Sequence, residues 1–290
     1  MAADPSMAAP SPRLAAAMDG IAEAMDRQFD LLLPLPDDPR RRLFEAMRHA
    51  AIGGGKRLRP LLVVATANIF NVARSYAVRA GTAVESMHVY SLVHDDLPCM
   101  DDDDLRRGKP TVHKAFDEAT AVLAGDSLHA LAFEILADPA THPDPFTRSE
   151  LMATLAKASG SDGMAGGQMM DLEAEKSSFD LPTVTRLQAM KTGALIACSV
   201  EAGAILARIP AEGRRPLRGY ARDIGLAFQI ADDVLDYRGE ASSLGKSLGD
   251  DLAEGKLTLP IILALQHGSE AGKALVKSVL AKPHAVEPAQ

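Results

Sequence analysis

Apolar residues recur at helical spacing along almost the whole chain, and no run alternates apolar and polar residues as a strand would. We predict helices near residues 13–33, 39–52, 60–72, 76–97, 117–136, 147–160, 183–207, 216–238 and 258–280. Turn-forming segments rich in glycine or proline separate several of them. Alanine, leucine and methionine supply most of the apolar mass, and only 4% of residues are aromatic. The pattern predicts an all-α fold.

No shift in composition marks a linker, so we expect one helical domain over residues 13–280, with flexible tails at 1–12 and 281–290. The first twelve residues lack the basic start and the apolar core of a secretory signal. The longest apolar stretch, Gly193–Ala207, carries Glu201 and is shorter than a membrane span. Two cysteines argue against a disulfide framework. We expect a cytoplasmic protein without stable membrane insertion.

Two clusters of aspartate stand in otherwise apolar stretches. They are Asp95, Asp96 and Asp101–Asp104, and then Asp232, Asp233 and Asp236. Carboxylates at this density repel one another unless cations neutralise them. Mg²⁺ binds carboxylate, water and phosphate oxygens, so magnesium ions that carry a diphosphate suit such clusters. The net charge of −8 is partly local to these clusters, and nothing indicates a nucleic-acid partner.

The spacing within each cluster constrains which carboxylates act together. Gln229, Asp232, Asp233 and Asp236 fall at i, i+3, i+4 and i+7, which is one face of a helix. In the first cluster, Pro98 must interrupt the helix after Asp95, and this leaves open which of the later aspartates point back. A solvated helix face or turn is the alternative interpretation of each cluster.

Basic residues follow a triple glycine at 53–55 and the first acidic run. They are Lys56, Arg57 and Arg59, then Arg106, Arg107 and Lys109, with Lys191, Lys246 and Lys256 further on. The glycines let backbone amides approach an anion, although the spacing is not that of a Walker loop. The alternative for any one of these residues is a solubilising surface charge. Together they predict binding of phosphate groups.

Five segments in this order resemble the motifs of the trans-isoprenyl diphosphate synthases. HDDLPCMDDDDLRRGKPTVH (His94–His113) resembles the first aspartate-rich motif, and FQIADDVLDY (Phe228–Tyr237) resembles the second. GGKRLRP (Gly54–Pro60) resembles the motif for the homoallylic substrate. GGQMMDL (Gly166–Leu172) and MKTGAL (Met190–Leu195) also match in type and order. The resemblance runs from about residue 20 to 265.

The resemblance implies an all-helical homodimer with a deep central cavity, and it assigns a role to each matching residue. Mg²⁺, three ions to each active site, would be held by Asp95, Asp96, Asp101, Asp232, Asp233 and Asp236. The allylic diphosphate would be bound by Arg106, Lys191, Thr192, Gln229 and Lys246, with Gln168, Asp171 and Lys256 as further candidates. Isopentenyl diphosphate would be bound by Lys56, Arg59, His88 and Arg107. A buried structural histidine is the alternative for His88.

The implied reaction is a head-to-tail condensation in which the allylic diphosphate departs and leaves a carbocation. The double bond of isopentenyl diphosphate attacks that cation, and the released diphosphate takes the proton. The residues expected to carry catalysis are Asp95, Asp96, Asp101, Arg106, Lys191 and Asp232. No protein nucleophile is needed. Metal ions and cationic side chains would stabilise the charge on the leaving group.

Tyr90 and Ser91 precede Asp95 by five and four residues, roughly 6–7.5 Å along a helix axis. We expect Tyr90 to form the floor of the cavity and to limit the product to farnesyl diphosphate, although simple core packing is the alternative. The segment Ser243–Pro260 is more similar to longer-chain polyprenyl synthases, so geranylgeranyl diphosphate or a longer product is the second interpretation. The short segment beyond it leads us to expect altered closure of the active site.

Two other functions share part of this pattern. A class I terpene cyclase uses the same ionisation chemistry, but it would not need Lys56, Arg59 and Arg107, and its second motif normally differs from Asp232–Asp236. A non-catalytic helical subunit of a partner synthase tends to lose one aspartate motif, and this chain keeps both. The sequence therefore favours the synthase.

Overall fold

The computed structural model describes residues 10–174, 179–238 and 258–280. Most of these residues are helical and almost none lie in strands, which confirms the predicted all-α class. In chain order the elements are α1 (Pro12–Leu32), α2 (Arg41–Ala51), α3 (Leu58–Ile69), α4 (Arg74–Asp95), β1 (Leu105–Arg106), β2 (Lys109–Pro110), α5 (Val112–Ala115), α6 (Glu118–Ala137), α7 (Pro145–Ser159), α8 (Met164–Ala174), α9 (Leu181–Gln188), a π-helical turn (Ala189–Gly193), α10 (Ala194–Leu206), α11 (Arg215–Arg238), α12 (Leu259–His267) and α13 (Glu270–Leu280).

Polar side chains cap the starts of several helices. Ser11 accepts a hydrogen bond from the backbone N–H of Leu14 at the start of α1, where Pro12 is the first helical residue. Asp117 accepts from the N–H of Thr120 at 2.7 Å at the start of α6, and Arg42 also contacts its carboxylate. The Arg42 contact, followed by the two Thr120 hydrogen bonds, lowers the pKa of Asp117 to about 2. The cap is therefore charged at neutral pH and stabilises the exposed amides of the first turn.

The contacts divide the chain into two compact units. The first comprises residues 1–152 together with Glu201–Pro210. Its central element is α4, which packs against α3 and α6 and buries residues on almost every side. Phe29, Met87 and Leu128 are among its fully buried side chains. A helix buried in this way carries few charges, so the charges that α4 does carry are functional candidates.

The second unit comprises residues 153–200 and 211–290. Here α8, α9 and α11 contact the π-helical turn, and α12 packs against α9 and α11. Gly167 of α8 lies so close to the turn that an added Cβ would stand 2.2 Å from the backbone nitrogen of Lys191. The prediction of a single domain over residues 13–280 is not tested by this division and stays a prediction.

The predicted helices differ from the observed elements in several places. The helix predicted at 183–207 contains the π-helical turn, and the one predicted at 258–280 is interrupted at Gly268. Helix α8 and the short hairpin β1–β2 were not predicted. The first turn of α8 contains Gly166 and Gly167. Because glycine has a low helix propensity, the sequence gave no helical signal there. The hairpin has only two residues in each strand, too few for an alternating pattern.

Two helical segments within the described residues are long and apolar enough to cross a membrane by length and composition alone. They are Glu118–Ala137 and Leu181–Leu206, with 44% and 56% of the tested windows buried inside the protein. The apolar stretch Gly193–Ala207 is only part of the second segment. Core helices satisfy the same test when they are mostly buried. The expected lack of membrane insertion stays a prediction.

Candidate active site

The first acidic cluster lies where α4 ends. Asp95 is the last residue of α4, and Leu97–Met100 form a turn after it. The N–H of Asp101 donates to the carbonyl of Asp95 at 2.8 Å, and the N–H of Asp102 donates to Leu97. The turn therefore fixes the backbone of Asp101 beside Asp95. This geometry answers the question that Pro98 left open in the sequence, because it identifies the aspartate that the turn returns to the helix end.

Arg106 neutralises part of the same cluster. Its Nε donates to Oδ1 of the buried Asp96 at 2.6 Å, and its Nη2 contacts both Asp96 and, at 3.0 Å, Asp103. Arg106 is held in the hairpin β1–β2, where it is paired with Lys109. Burial raises the pKa of Asp96, although the hydrogen bond from Arg106 acts in the opposite direction. The structure thus joins two predicted site residues, Asp96 and Arg106, in a direct ion pair.

A group of cations surrounds the glycine turn that follows α2. Gly53 and Gly55 have φ values of +77° and +90°, which favour glycine. The guanidinium of Arg107 lies against Gly55, where an added Cβ would stand 2.4 Å from Nη1. Lys56 is exposed beside this turn, and Arg59 is a half-buried residue in the first turn of α3. The four residues predicted to bind isopentenyl diphosphate therefore belong to one compact unit; they are Lys56, Arg59, His88 and Arg107.

Arg59 and His88 are both perturbed by their surroundings. Loss of hydration lowers the pKa of Arg59, and repulsion from Arg107 acts in the same direction. Burial lowers the pKa of His88 well below its usual range, and repulsion from Arg59 and Arg107 reinforces the effect. The Nε of Arg59 is buried and has no hydrogen-bond partner among the described residues. An anion that bound here would supply the missing acceptor and relieve the repulsion.

Tyr90 is held by aromatic contacts on both sides. Its ring lies edge-on to the imidazole of His94, at a centroid distance of 5.3 Å, and to that of His129 on α6, at 5.0 Å. Partial burial raises the pKa of its hydroxyl. The hydroxyl of Ser91 donates to the carbonyl of His88 at 2.9 Å, so Ser91 is occupied with its own helix. Tyr90 is therefore a fixed side chain a little more than one turn before Asp95.

In the second unit, Lys191 lies within the π-helical turn. Its Nζ contacts Oδ2 of Asp171 on α8 at 2.5 Å, and Thr192 follows it in the same turn. The side-chain nitrogen of Gln168, one helical turn before Asp171, is buried without a partner among the described residues. π-Helical turns of this kind are frequent at functional sites. Helix α8 and the turn thus bring together four of the residues that the resemblance assigns to the allylic diphosphate.

The second acidic stripe occupies α11 in the same unit. Asp233 is buried; its Oδ1 accepts from Gln229 at 2.8 Å and its Oδ2 accepts from Gln188 of α9 at 3.0 Å. Asp232 is exposed. Asp233 thus faces α9, whereas Asp232 is open to a ligand. The side chain of Asp236, together with Lys246 and Lys256, lies outside the described residues, so their predicted roles stay predictions.

Within the described part of the chain, no three histidine, cysteine or acidic side chains converge on one point as metal ligands. The donors on hand at α4 and α11 are carboxylate oxygens, which are the type that Mg²⁺ requires. Mg²⁺ also keeps several water and phosphate oxygens, so it does not need a complete cage of protein side chains. The residue types therefore fit magnesium, and the assignment of the six ligands stays a prediction: Asp95, Asp96, Asp101, Asp232, Asp233 and Asp236.

Sequence reasoning missed three residues that contact the predicted ones. Glu85 of α4 is buried and pairs with Arg57, His129 packs on Tyr90, and Gln188 binds Asp233. Of these, only Glu85 carried a signal that could have been used. It is a lone carboxylate in the buried half of an apolar helix, and such a charge requires a partner. The other two contacts join distant parts of the sequence.

Comparison with known proteins agrees with these observations. The family model described as polyprenyl synthetase matches residues 40–289. The farnesyl diphosphate synthase of Escherichia coli is 46% identical over 259 residues, which is 88% of this chain and 84% of that protein. A second relative is large subunit 1 of the chloroplastic heterodimeric geranylgeranyl pyrophosphate synthase of Arabidopsis thaliana. It is 42% identical over 260 residues, which is 88% of this chain and 69% of that protein.

A solved structure is also similar over nearly its whole length. The apo crystal structure of an FPP/GFPP synthase from Zymomonas mobilis is 56% identical, with a TM-score of 0.79, and the match covers 92% of this chain and 89% of that one. The helical fold is thus shared with proteins of one family. The chain belongs to the polyprenyl synthetase family and is a prenyltransferase.

Proposed function

We propose that this prenyltransferase catalyses the Mg²⁺-dependent, head-to-tail condensation of isopentenyl diphosphate with dimethylallyl or geranyl diphosphate to give farnesyl diphosphate. The observation that carries the proposal is the cation group of the first unit. In it, the buried Nε of Arg59 lacks an acceptor and His88 is surrounded by arginines. Such a site suits a diphosphate. Isopentenyl diphosphate is the substrate whose diphosphate is retained, so it needs protein cations of its own.

Lys56, Arg59 and Arg107 would bind the oxygens of isopentenyl diphosphate. His88 has a pKa well below its usual range, because burial and nearby arginines oppose its protonation. At neutral pH it is therefore an uncharged imidazole that can donate one N–H to a phosphate oxygen. In this role it orients the substrate. The cationic surroundings make it a poor place to hold an abstracted proton.

Two sets of residues would serve the allylic substrate. Arg106, Lys191, Thr192 and Gln229 would bind its diphosphate, with Gln168 and Lys246 as further contacts. As the family resemblance implies, bound Mg²⁺ would be held by aspartates and would supply Lewis-acid stabilisation of the charge on the departing diphosphate; these are Asp95, Asp96, Asp101, Asp232, Asp233 and Asp236. Apolar side chains of α4 and α6 would exclude water from the allylic carbocation until the double bond of isopentenyl diphosphate attacks it. The released diphosphate then takes the proton that the new tertiary cation loses.

The direct test is an assay with labelled isopentenyl diphosphate and each allylic primer, with and without Mg²⁺. We expect magnesium-dependent incorporation of label with dimethylallyl and geranyl diphosphates, and farnesyl diphosphate as the main product. Release of diphosphate without incorporation of isopentenyl diphosphate would identify a cyclase instead. No turnover unless a second synthase is added would identify a non-catalytic subunit. Light scattering on the same sample tests the proposed homodimer.

The product is the finer part of the proposal, because relatives of both product classes are similar to this chain. Farnesyl diphosphate is supported by Tyr90, whose ring is held in place by His94 and His129 a little more than one turn before Asp95. Geranylgeranyl diphosphate is the second candidate. It is favoured by the similarity of Ser243–Pro260 to longer-chain enzymes; residues 243–257 of that segment lie outside the described residues.

Replacement of Tyr90 by Ala is expected to lengthen the product. The change removes the ring that packs on His94 and His129, and the space it leaves lies on the path of a growing chain. Chromatography of the dephosphorylated products should show geranylgeraniol and longer alcohols in place of farnesol. The control is Tyr90→Phe, which keeps the ring and should keep the product. An unchanged profile in the Ala variant would refute the role of Tyr90 as a floor.

A further inference from the structure

Arg57 differs from its basic neighbours because it is turned into the protein. Lys56 is exposed, whereas the side chain of Arg57 is only 1% exposed. Its φ of +48° is in the left-handed region, which is uncommon for a residue with a side chain, and it stands directly before the first residue of α3. A strained backbone persists only where the surroundings determine it. Something must therefore hold Arg57 in this conformation.

Four contacts hold the Arg57 guanidinium. Nη1 donates to Oε1 of Glu85 at 2.9 Å, and Nη2 donates to Oδ1 of Asp26 at 3.1 Å. Nη2 also donates to the carbonyl of Ala51, the last residue of α2, at 2.5 Å. The ring of Phe29 lies 5.9 Å from Cζ. A single side chain thus connects α1, the end of α2 and α4.

The same contacts close the glycine turn between α2 and α3. Oδ1 of Asp26 accepts from the N–H of Gly53 at 3.1 Å as well as from Arg57. Both ends of the segment 53–57 are therefore tied to one carboxylate oxygen. Gly55, in the middle, is the residue against which the Arg107 guanidinium packs. The shape of this turn decides where Lys56, Arg59 and Arg107 stand.

Glu85 supplies the charge that makes the arrangement tolerable. Its side chain is 3% exposed, and its Oε1 accepts from Arg57. Loss of hydration and repulsion from Arg107 lower the pKa of Arg59, and the negative charge of Glu85 acts in the opposite direction. With Arg57 neutralised by Glu85, the positive charge of the group that remains for a ligand is that of Lys56, Arg59 and Arg107.

We propose that Glu85 and Arg57 are positioning residues: their buried ion pair fixes the turn 53–57, and so prearranges Lys56, Arg59 and Arg107 for the diphosphate of isopentenyl diphosphate. This inference rests on the proposed function, and it adds two residues that do not themselves touch substrate. Prearranged donors bind a diphosphate without the cost of ordering long basic side chains. Loss of the pair therefore weakens the binding of isopentenyl diphosphate and leaves the binding of the allylic substrate unchanged.

The first test is Glu85→Gln, assayed with geranyl and isopentenyl diphosphates. We expect the KM for isopentenyl diphosphate to rise about ten- to a hundredfold, the scale of an error in positioning. The KM for geranyl diphosphate and kcat should change by less than about threefold. A KM for isopentenyl diphosphate within about twofold of wild type, in a folded variant, would overturn the proposal.

A double variant separates positioning from stability. Arg57→Met with Glu85→Met replaces the buried pair by apolar side chains, which is often neutral or stabilising. We expect its Tm to be close to that of wild type while its KM for isopentenyl diphosphate stays raised, since the contacts to Asp26 and Ala51 are gone. If the pair served only stability, the double variant would recover both values. This variant also decides the question if Glu85→Gln does not fold.

The matched control is Arg79→Met on the same helix. Arg79 contacts Asp138 at 2.5 Å and Thr141 at 3.1 Å, away from the glycine turn. We expect it to lower Tm without raising either KM. An equal rise in the KM for isopentenyl diphosphate would show that any arginine pair on α4 has this effect, and would overturn the proposal.

Calorimetry with isopentenyl diphosphate separates this proposal from the proposed function. If wild type binds it but turns over no primer, the proposed function fails, and the Kd values of wild type and Glu85→Gln still test the positioning role. A weaker Kd for the variant supports the role, and an equal Kd contradicts it. If wild type neither binds nor turns over, both proposals fail.

Discussion

Asp95→Asn is expected to lower kcat by about 10²–10³-fold, which is the usual cost of removing one group that stabilises charge in a transition state. Asn keeps the size of the side chain, but it removes the negative charge that a divalent ion requires. The backbone hydrogen bond between Asp95 and Asp101 does not involve the carboxylate, so the turn should persist. Steady-state rates over a range of Mg²⁺ concentrations measure the effect, and the half-saturating concentration should rise.

Asp102→Asn is the matched control, because it makes the same change of charge in the same acidic run. Asp102 is exposed, and its φ of +51° is one that Asn also adopts readily. We expect kcat to stay within about threefold of wild type. Equal losses in the two variants would mean that the total charge of the run matters, and the specific role of Asp95 would then be wrong.

Gly167→Ala is expected to have the second large effect, on folding and on activity together. The new methyl group would stand 2.2 Å from the nitrogen and 2.5 Å from the Cα of Lys191. Backbone atoms cannot rotate away as a side-chain end can, so α8 and the π-helical turn must separate. Overpacking of this kind costs about 1–3 kcal/mol, and occasionally more. Thermal unfolding should show a lower Tm, and the KM for the allylic diphosphate should rise as Lys191 moves.

Gly219→Ala provides the comparison for this variant in the same unit. Gly219 lies in α11, and a Cβ added there would have no neighbouring atom of another element within 4 Å among the described residues. Ala is favoured over Gly inside a helix by about 1 kcal/mol, so Tm should stay the same or rise, with unchanged kinetics. A Gly167→Ala protein that is as stable and active as wild type would contradict the close packing of α8 on the turn.

Helical periodicity predicted the fold class and the main helices, because apolar residues of α1, α2 and α11 recur on one face and α4 and α6 are long. It did not predict α8, where Gly166 and Gly167 lower the local helix propensity and Gly167 packs closely against Lys191. The π-helical turn had no signal either. Apolar spacing is read over many residues, and a single extra residue changes it too little to detect.

The candidate site was predictable where the chemistry lies in local sequence. The aspartates around Pro98 were identified as a cluster, but only the hydrogen bond from Asp101 to Asp95 shows how the chain returns. The pairing of Asp96 with Arg106 joins residues ten apart through a hairpin that is too short to recognise. Glu85 and Gln188 make their contacts across tertiary structure, and a single sequence contains no spacing rule for such pairs.

The π-helical turn at Ala189–Gly193 constrains how this chain can change. A π-turn contains one residue more than the α-turn it replaces. Deleting any one of these five residues would restore an uninterrupted α-helix from α9 to α10, which is the conformation of lower local energy. It would also rotate one side of the helix relative to the other by about 100°. Lys191 and the buried face of α10 could then no longer both keep their present directions, so the length of this segment is constrained as well as the identity of Lys191.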